Sequence, residues 1–335
     1  MKVLLVKTSS LGDLLHTLPA LTDAMNHDGS IEFHWLAEEN LAEIPTWHRG
    51  VRRVLPLPWR RWRRHPLQAC LQGEWRRFLR ELRQEDYDAI IDAQGLLKSA
   101  IPAFLARGES WGLDRHSARE PMASLWYRHR LRVAREMHAV DRVRALLAQA
   151  LQYPLPRERP DYGLQQRFAS NPNGDYLVFV HGTTWASKHW PEHHWHQLLA
   201  LLDSQIPVLL PWGNALEKET AERLARSKSD AVRVTEKSSL TRLARILAQA
   251  RGVVTVDTGP AHLAAALNRP AFCLYGPTDP AQVGTVCQNH HHVRGPCPHS
   301  PCRRRLCPLV PPGSPSPCME AIDPRHVHHW LEALP

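Results

Sequence analysis

The stretch VLLVKTSSLGDLLHTLPAL, residues 3–21, predicts the fold of the first part of the chain. It starts with four apolar residues in a buried-strand pattern, continues through polar residues and Gly12, and becomes apolar and periodic from Leu14. A strand, a short loop and a helix in this order form the repeating unit of a parallel α/β sheet. We therefore expect this part of the chain to be an α/β domain.

The same rhythm continues along the chain and is interrupted once. A basic helix is expected at residues 69–84, and a stretch rich in proline, residues 152–174, has the composition of a linker. Two successive sets of strands and helices around such a joint predict two Rossmann-like domains that face each other across a cleft. Further strand-like runs lie at residues 31–37, 51–57, 87–93, 176–180, 206–212, 231–234, 252–256 and 271–276.

The expected domain boundaries follow from these runs. Residues 287–318, rich in Pro, Cys, His and Arg, have loop composition, and a short helix is expected at residues 324–334. We assign residues 1–155 to an N-terminal domain, 156–174 to the linker, 175–318 to a C-terminal domain, and 319–335 to a final helix that could pack back on the N-terminal domain.

Composition limits the classes of function. With 335 residues, 43% apolar and 22% charged, the chain is typical of a globular protein. The net charge of +9 favours anionic partners, such as nucleic acid, an acidic membrane face or phosphorylated substrates. No apolar run is long enough for a spanning helix, and the one at the start is too short for a signal peptide. We therefore expect a cytoplasmic protein.

The seven cysteines are unevenly distributed. Cys70 and Cys273 stand alone in the sequence, whereas five cysteines crowd residues 287–318. The spacing C-x4-C-x4-C-x10-C from Cys297 to Cys318 is not a standard zinc spacing. The sequence therefore assigns no metal and no cofactor.

The first loop, KTSSLGDLLHTLP at residues 7–19, joins a strand end to a helix start, where open α/β sheets bind ligands. Gly12 permits close backbone approach, the side chain of Ser10 can hold ligand oxygens, and Asp13 is the sole acid of the loop. A helix-capping aspartate is the structural alternative for Asp13. The loop lacks the G-x-G-x-x-G pattern, which argues against a nicotinamide enzyme.

Two later segments have the composition of a diphosphate site. HGTTWASKHWP, residues 181–191, places hydroxyls and Lys188 after a strand, although a capped surface loop would also explain it. In VVTVDTGPAHLAAAL, residues 253–267, a strand ends at Asp257 and Gly259 precedes a helix that begins near Pro260. His262 lies in the same segment, where a lone histidine is more often structural than catalytic.

Seven motifs occur in the order typical of glycosyltransferase family 9, and the chain from residue 1 to about 280 resembles its members. They are KTSSLGDLLHTLPAL (residues 7–21), DAQGLLKSA (92–100), AREP (118–121), KHWP (188–191), LPWG (210–213), VDTGPAHL (256–263) and YGPTDP (275–280). The resemblance implies the two-lobed GT-B architecture and inverting transfer of L-glycero-D-manno-heptose. The donor would be ADP-L-glycero-D-manno-heptose, and the acceptor the Kdo region of Kdo-lipid A in lipopolysaccharide inner-core synthesis.

The resemblance also implies residue roles. Asp13 matches the general base. The donor-binding residues implied are Thr183, Thr184, Lys188, Glu217, Asp257, Thr258, Gly259 and His262, with Lys218 as the alternative to Glu217 at the nucleoside. For the acceptor, the basic run WRRWRR at residues 59–64 and neighbouring loops supply Ser10, Arg60, Arg61, Arg63, Arg64, Lys98 and Arg119.

Alternatives remain for the partner of the basic run. It could be a solvated face or a peripheral contact with an anionic membrane surface, which would place the protein on the cytoplasmic face of the inner membrane. Transfer to an inner-core heptose is a second enzymatic possibility. A non-catalytic binder of nucleic acid would explain the arginines but not the motifs at residues 7–21 and 256–263, so no nucleic acid is expected.

Overall fold

The computed structural model describes residues 1–169, 174–228 and 230–334. Within these residues the chain forms two compact units, Met1–Leu164 and Gln165–Pro335, each built on a six-stranded parallel sheet. The expectation of two Rossmann-like domains is confirmed. Part of the expected linker, residues 170–173, lies outside the described residues.

The first unit alternates strands with helices along most of its length. Its strands are β1 (Lys2–Val6), β2 (Glu32–Glu38), β3 (Val51–Leu57), β4 (Asp86–Asp92), β5 (Arg107–Leu113) and β6 (His129–Leu131). Its helices are α1 (Leu11–Leu15), α2 (Leu18–His27), α3 (Trp59–Arg64), α4 (Pro66–Leu71), α5 (Glu74–Leu82), α6 (Leu97–Leu105) and α7 (Ala139–Ala150), with short 3-10 turns at Glu39–Leu41, Pro45–Trp47 and Pro121–Trp126.

The second unit repeats the plan. Its strands are β7 (Leu177–Val180), β8 (Val208–Leu210), β9 (Val232–Val234), β10 (Gly252–Val256), β11 (Ala271–Tyr275) and β12 (His290–Arg294). Its helices are α8 (Glu192–Leu201), α9 (Ala215–Arg226), α10 (Leu240–Ala248), α11 (Gly259–Ala266), α12 (Pro280–Val283), α13 (Pro317–Glu320) and α14 (Pro324–Glu332), with a 3-10 turn at Ala186–Lys188.

Both sheets have the same strand order. It is β3-β2-β1-β4-β5-β6 in the first unit and β9-β8-β7-β10-β11-β12 in the second. The first strand of each unit is therefore central, and the chain moves outward from it first to one side and then to the other. Within each sheet the first strand lies beside the fourth, β1 beside β4 and β7 beside β10. The loops that leave these two neighbouring strands diverge, which opens a ligand crevice at their carboxyl ends.

The central strands are apolar because helices cover both faces of a parallel sheet. Residues 3–6 of β1 are all inaccessible to solvent, and Val253, Val254 and Val256 of β10 are equally buried. These continuous apolar runs are the reason that the central strands were recognisable in the sequence.

The prediction of one basic helix at residues 69–84 is wrong in detail. Two helices, α4 and α5, occupy this region, and Gly73 between them has φ of 65°, in the left-handed region. Glycine adopts this conformation without steric cost, so the chain turns there and begins a new helix. The preceding run WRRWRR is itself helical and forms α3.

The end of the chain differs from expectation in one strand. β12 lies inside the segment expected to be loop, because its sequence HHHVR lacks apolar alternation, yet it pairs in parallel with β11. The final helix is present as α14, and its Val327 and Leu331 enter the core of the second unit. Its apolar face is thus used within that unit. None of the helices in the described ranges combines the length and apolar character that crossing a bilayer requires.

His48 is a buried titratable group of the first unit, only 2% exposed. Its Nδ1 accepts a hydrogen bond from the Gly50 N–H at 3.2 Å, so its Nε2 carries the proton and donates to Thr22 Oγ1 at 3.0 Å. Burial, together with the charge of Arg49, lowers the pKa of His48 from 6.5 to about 4. Protonation of Nδ1 would direct two N–H groups at each other.

We expect acid to destabilise the protein through His48. Between pH 6.5 and about 4 the His48 side chain binds a proton in the unfolded chain but not in the folded chain. The free energy of unfolding therefore falls as the pH falls through this range, by about 3 kcal/mol over the whole range. The variant His48→Asn keeps an oxygen acceptor for Gly50 and should lose this part of the pH dependence. Urea unfolding of both proteins from about pH 7 to about pH 4.5 measures it. Equal slopes against pH in the two proteins would contradict the assignment.

Candidate functional site

In the first unit, the loop after β1 is fastened to the loop after β4. Gln94 Oε1 accepts hydrogen bonds from the Thr8 and Ser9 N–H groups, at 3.0 and 3.2 Å. The Lys7 ammonium donates to the Ala93 carbonyl at 2.7 Å. These loops follow the two central strands, so their cross-links fix the rim of the crevice.

Asp13 lies on this rim, in the first turn of α1. Its Oδ2 accepts hydrogen bonds from the Ser10 N–H at 2.6 Å and from the Ser10 hydroxyl at 3.0 Å. Ser10 is the N-cap residue of α1, and Asp13 closes a capping box from the third helical position. The structural alternative foreseen for Asp13 is thus partly realised, and the carboxylate remains half-buried at the crevice edge.

Two lysines lie within the electrostatic reach of Asp13. Lys98 donates to Ser9 Oγ at 2.7 Å. Burial lowers the pKa of Lys7 and of Lys98, and in both lysines the Asp13 charge opposes this shift while Arg119 adds to it. The rim thus holds Ser10 in contact with Asp13 and places Lys98 within reach of the charges of both Asp13 and Arg119.

Asp92 supports this rim through its hydrogen bond to the backbone of Gln94, a role that the sequence did not predict. It is fully buried at the end of β4 and accepts hydrogen bonds from Tyr127 Oη at 2.6 Å, Ser99 Oγ at 2.8 Å and the Gln94 N–H at 2.7 Å. Burial raises the pKa of Asp92, and these donors oppose the rise. Only the DAQGLLKSA motif pointed to Asp92, and nothing in the sequence pointed to Tyr127.

A groove of about 450 Å³ lies beside α3. Arg60, Arg61 and Arg64 line it, and Arg63 is not among the lining residues. Arg61 is paired with Glu74 at 2.6 Å and with Glu39 at 3.4 Å. Among the described residues no carboxylate forms an ion pair with Arg60 or Arg64. The remaining lining residues are Glu38, Glu39, Asn40 and His65.

The second unit has a corresponding cluster at the ends of β7 and β10. Asp257 is 5% exposed, and its Oδ2 lies 2.6 Å from Lys188 Nζ and accepts a hydrogen bond from Thr278 Oγ1 at 2.5 Å. Thr183 Oγ1 donates to the Asp257 carbonyl at 3.2 Å. Three separate motifs thus meet at Asp257. The ammonium of Lys188 also lies 4.4 Å from the ring centre of Trp185.

The helix after β10 begins at this cluster. Thr258 is the N-cap of α11 and Gly259 its first residue. Pro260 has no N–H, and the Ala261 N–H donates to the Thr258 carbonyl at 3.1 Å, so the backbone donors at this helix start are the N–H groups of Thr258 and Gly259. Such a helix start attracts anions. Thr184 is exposed beside it, whereas His262 is buried in the second turn.

Glu217 connects this cluster to the end of β8. Its Oε2 accepts a hydrogen bond from the Gly213 N–H at 2.7 Å. The same side chain lies against Gly182, where a Cβ atom would come within 2.5 Å of the Glu217 carboxyl carbon. Lys218, in contrast, is directed to the Trp212 ring at 5.6 Å and to Glu222 at 3.4 Å. The structure therefore places Glu217, and not Lys218, at the crevice.

A basic loop that the sequence did not single out borders the cluster. The Ser187 N–H donates to the Arg305 carbonyl at 3.1 Å, and Ser187 Oγ donates to the Arg304 carbonyl at 2.6 Å. The Arg305 guanidinium lies 5.7 Å from the Trp185 ring centre. The composition of the sequence could have drawn attention to this loop, since three arginines follow Cys302 directly.

Residues 75–311 match glycosyltransferase family 9 (heptosyltransferase). The chain belongs to this family. It is 47% identical to lipopolysaccharide heptosyltransferase 1 of Pseudomonas aeruginosa, over 100% of this chain and 98% of that relative. It superposes on the E. coli heptosyltransferase WaaC with ADP at a TM-score of 0.89, with 44% identity and 99% of each chain covered. WaaC with ADP-2-deoxy-2-fluoro heptose gives 0.86, 43% and again 99% of each chain.

This membership confirms the GT-B-like fold class and shows that the protein is a glycosyltransferase. The family 9 chain carries its implied residues in two clusters, one at the carboxyl edge of each sheet. The cluster around Asp13 combines a carboxylate with ammonium groups and arginines. The cluster around Asp257 combines an ion pair, hydroxyls and a helix start.

We expect the protein to become less stable when one charge of the Lys188–Asp257 ion pair is removed. Lys188→Met leaves the Asp257 carboxylate buried without its cation and should lower the free energy of unfolding by about 3 kcal/mol. The double variant Lys188→Met, Asp257→Asn removes both charges, keeps an acceptor for Thr278 and should lose less. Urea unfolding of the three proteins tests this. A double variant less stable than the single one would show that charge is not the cause.

Proposed function

We propose that this family 9 enzyme transfers L-glycero-D-manno-heptose, with inversion, from ADP-L-glycero-D-manno-heptose to the Kdo region of Kdo-lipid A. The observation that carries the proposal is the identity of 47% over the full chain with a lipopolysaccharide heptosyltransferase 1. A WaaC structure that holds an ADP-heptose analogue superposes over 99% of this chain and supports the donor. The basic groove of the first unit supports an anionic acceptor.

The donor is assigned to the crevice of the second unit. The N–H groups of Thr258 and Gly259 at the start of α11 and the Lys188 ammonium suit the diphosphate, because they present positive charge at the carboxyl edge of one sheet. Thr183, Thr184 and the Asp257 side chain suit the heptose hydroxyls. Glu217 lies at the end of the second strand of the unit, where Rossmann-like domains hold a ribose with a carboxylate.

Glu217 and its neighbour Lys218 provide a matched test of this assignment. Glu217→Gln should weaken binding of ADP about 10-fold or more, because a charge-assisted hydrogen bond to a ribose hydroxyl becomes a neutral one. Lys218→Gln removes a charge one position away, from a side chain directed at Trp212, and should change the dissociation constant little. Isothermal titration of both variants with ADP measures the difference. A larger loss in Lys218→Gln would reverse the assignment at the nucleoside.

The acceptor is assigned to the groove beside α3 and the rim next to it. Kdo carboxylates and lipid A phosphates are anions that guanidinium forks bind well. Arg60 and Arg64 are exposed and line the groove, whereas Arg61 is already held by Glu39 and Glu74. Ser10, Lys98 and Arg119 would hold the acceptor near Asp13, and Arg63 would add charge from the same helix.

We expect Arg60→Ala and Arg64→Ala to raise the KM for Kdo-lipid A about 10-fold or more each, from the loss of a charge-assisted bond. The KM for the ADP-heptose donor should stay near its original value. Arg63→Ala, on the same helix but outside the groove lining, should have a smaller effect. Steady-state kinetics with each substrate varied in turn separates these outcomes. Equal effects of the three variants would show that α3 acts through its overall positive charge and not through specific contacts in the groove. An altered donor KM would contradict the acceptor role.

Contact with an anionic membrane surface is proposed for α4, which follows the arginines directly. Leu67 and Leu71 are one helical turn apart and are 79% and 89% exposed. Apolar side chains beside arginines suit a surface of anionic lipid, and would bring the enzyme to its acceptor at the cytoplasmic face of the inner membrane. Replacing both leucines by Ser should raise the acceptor KM for Kdo-lipid A in vesicles but not in detergent micelles. If the variant and the original chain had the same KM in vesicles, the proposed membrane contact would be contradicted.

Asp13 is proposed as the general base. Its Oδ2 serves the capping box, which leaves Oδ1 to accept the proton of the attacking Kdo hydroxyl. That hydroxyl oxygen forms a bond to the anomeric carbon of heptose as the bond to the ADP oxygen breaks. ADP departs with its charge held by Lys188, the threonine hydroxyls and the amides at Thr258 and Gly259.

We expect Asp13→Asn to lower kcat by about 10²–10⁴-fold, because the amide keeps the shape and the capping acceptor but is not a base. Binding of ADP to this variant should be unchanged, and circular dichroism should show a native fold. Single-turnover assays with ADP-heptose and Kdo-lipid A give the rate. Near-normal turnover would limit Asp13 to helix capping and direct the search to His16 or His262.

A further inference from the structure

A second cluster of chemistry-bearing side chains lies on β11 and β12. The two strands pair in parallel with Ala271 opposite His290 and Cys273 opposite His292. Side chains alternate between the two faces of a strand, so Cys273, His290 and His292 share one face. His291 is directed to the other face, where it packs against Phe272.

The ligand atoms of these side chains converge. Cys273 Sγ, one ring nitrogen of His290 and one of His292 all lie within 4.8 Å of one another. Cys273 Sγ is 3.5 Å from His290 Nδ1. Metal–sulfur and metal–nitrogen bonds of about 2.3 and 2.0–2.1 Å make the edge of a tetrahedral site about 3.6 Å long. The spacing of the sulfur and the nitrogen therefore suits a tetrahedral ion.

Thr285 completes the arrangement from the loop before β12. Its hydroxyl lies 2.6 Å from His290 Nδ1, 2.7 Å from His292 Nε2 and 3.7 Å from Cys273 Sγ. The Thr285 N–H donates to the Tyr275 hydroxyl at 3.2 Å, which fixes the loop over β11. The hydroxyl thus occupies the side of the cluster where a fourth ligand, or a water in its place, would bind.

The cluster is shielded from water. Cys273 is buried, and His290 and His292 are half-buried. A metal ion binds a neutral imidazole directly, and a thiol becomes a ligand when the metal displaces its proton.

We propose that Cys273, His290 and His292 form a structural site for Zn²⁺ or a similar thiophilic cation, with Thr285 or a water as the fourth ligand. Sulfur and imidazole donors select such ions over Mg²⁺ or Ca²⁺. The ion would join β11, the edge strand β12 and the loop that carries Thr285. Binding releases the thiol proton and forms a metal–sulfur bond, with no redox step.

Metal stoichiometry and Co²⁺ spectra of the full chain test the site. After chelation and dialysis, the protein is titrated with Co²⁺, whose thiolate charge-transfer and tetrahedral bands report a Cys-His-His site. Cys273→Ala and His292→Gln should each lose about one equivalent of Co²⁺ or Zn²⁺ relative to the original chain. His291→Gln, one residue away on the opposite face, should lose none. Cys302→Ser controls for binding by the cysteines of residues 297–318.

A thermal melt supplies an independent readout. Zn²⁺ should raise the melting temperature of the original chain and of His291→Gln, but raise it less in Cys273→Ala and His292→Gln. Absence of Co²⁺ or Zn²⁺ binding by the original chain would overturn the proposal. Equal stoichiometry in Cys273→Ala would overturn it as well, since the metal would then bind elsewhere. Circular dichroism of each variant without metal establishes that the fold is retained.

Discussion

The reversal of strand order beside the first strand of each unit is the constraint on which both clusters depend. β1 and β7 are central, and the chain leaves them in one direction before it returns on the other side through β4 and β10. Loops that diverge at this point leave a crevice, and residues that follow these four strands line it. Asp13 and Asp257 reach equivalent edges of their sheets for this topological reason.

Much of the fold was predictable because parallel strands are buried on both faces. The apolar runs of β1, β4, β7 and β10 stand out from their polar loops, and their order gave two Rossmann-like domains. β12 escaped prediction because an edge strand needs few apolar residues, and its HHHVR sequence is half-exposed. The break at Gly73 was missed because its neighbours keep a continuous helical pattern across the turn.

The candidate site was predictable where one motif holds both a strand end and its functional side chain. The segments at Asp13, Lys188 and Asp257 have this form, and the resemblance to family 9 supplied their roles. Residues brought in by tertiary contact alone were not visible in the sequence. Tyr127 meets Asp92 across 35 positions, and Cys273 stood alone in the sequence until strand pairing placed two histidines beside it.

The same strand order fixes which strands are outermost, with a consequence for solubility. Among the strands of the described residues, β3, β6, β9 and β12 each have one side without a neighbour in their own sheet. An open strand edge can pair with another chain and start aggregation. Every one of these four strands carries Arg or His, and β3 also carries Pro56, which has no N–H to offer. Like charges and a missing donor therefore discourage two copies of the protein from joining their sheets edge to edge at high concentration.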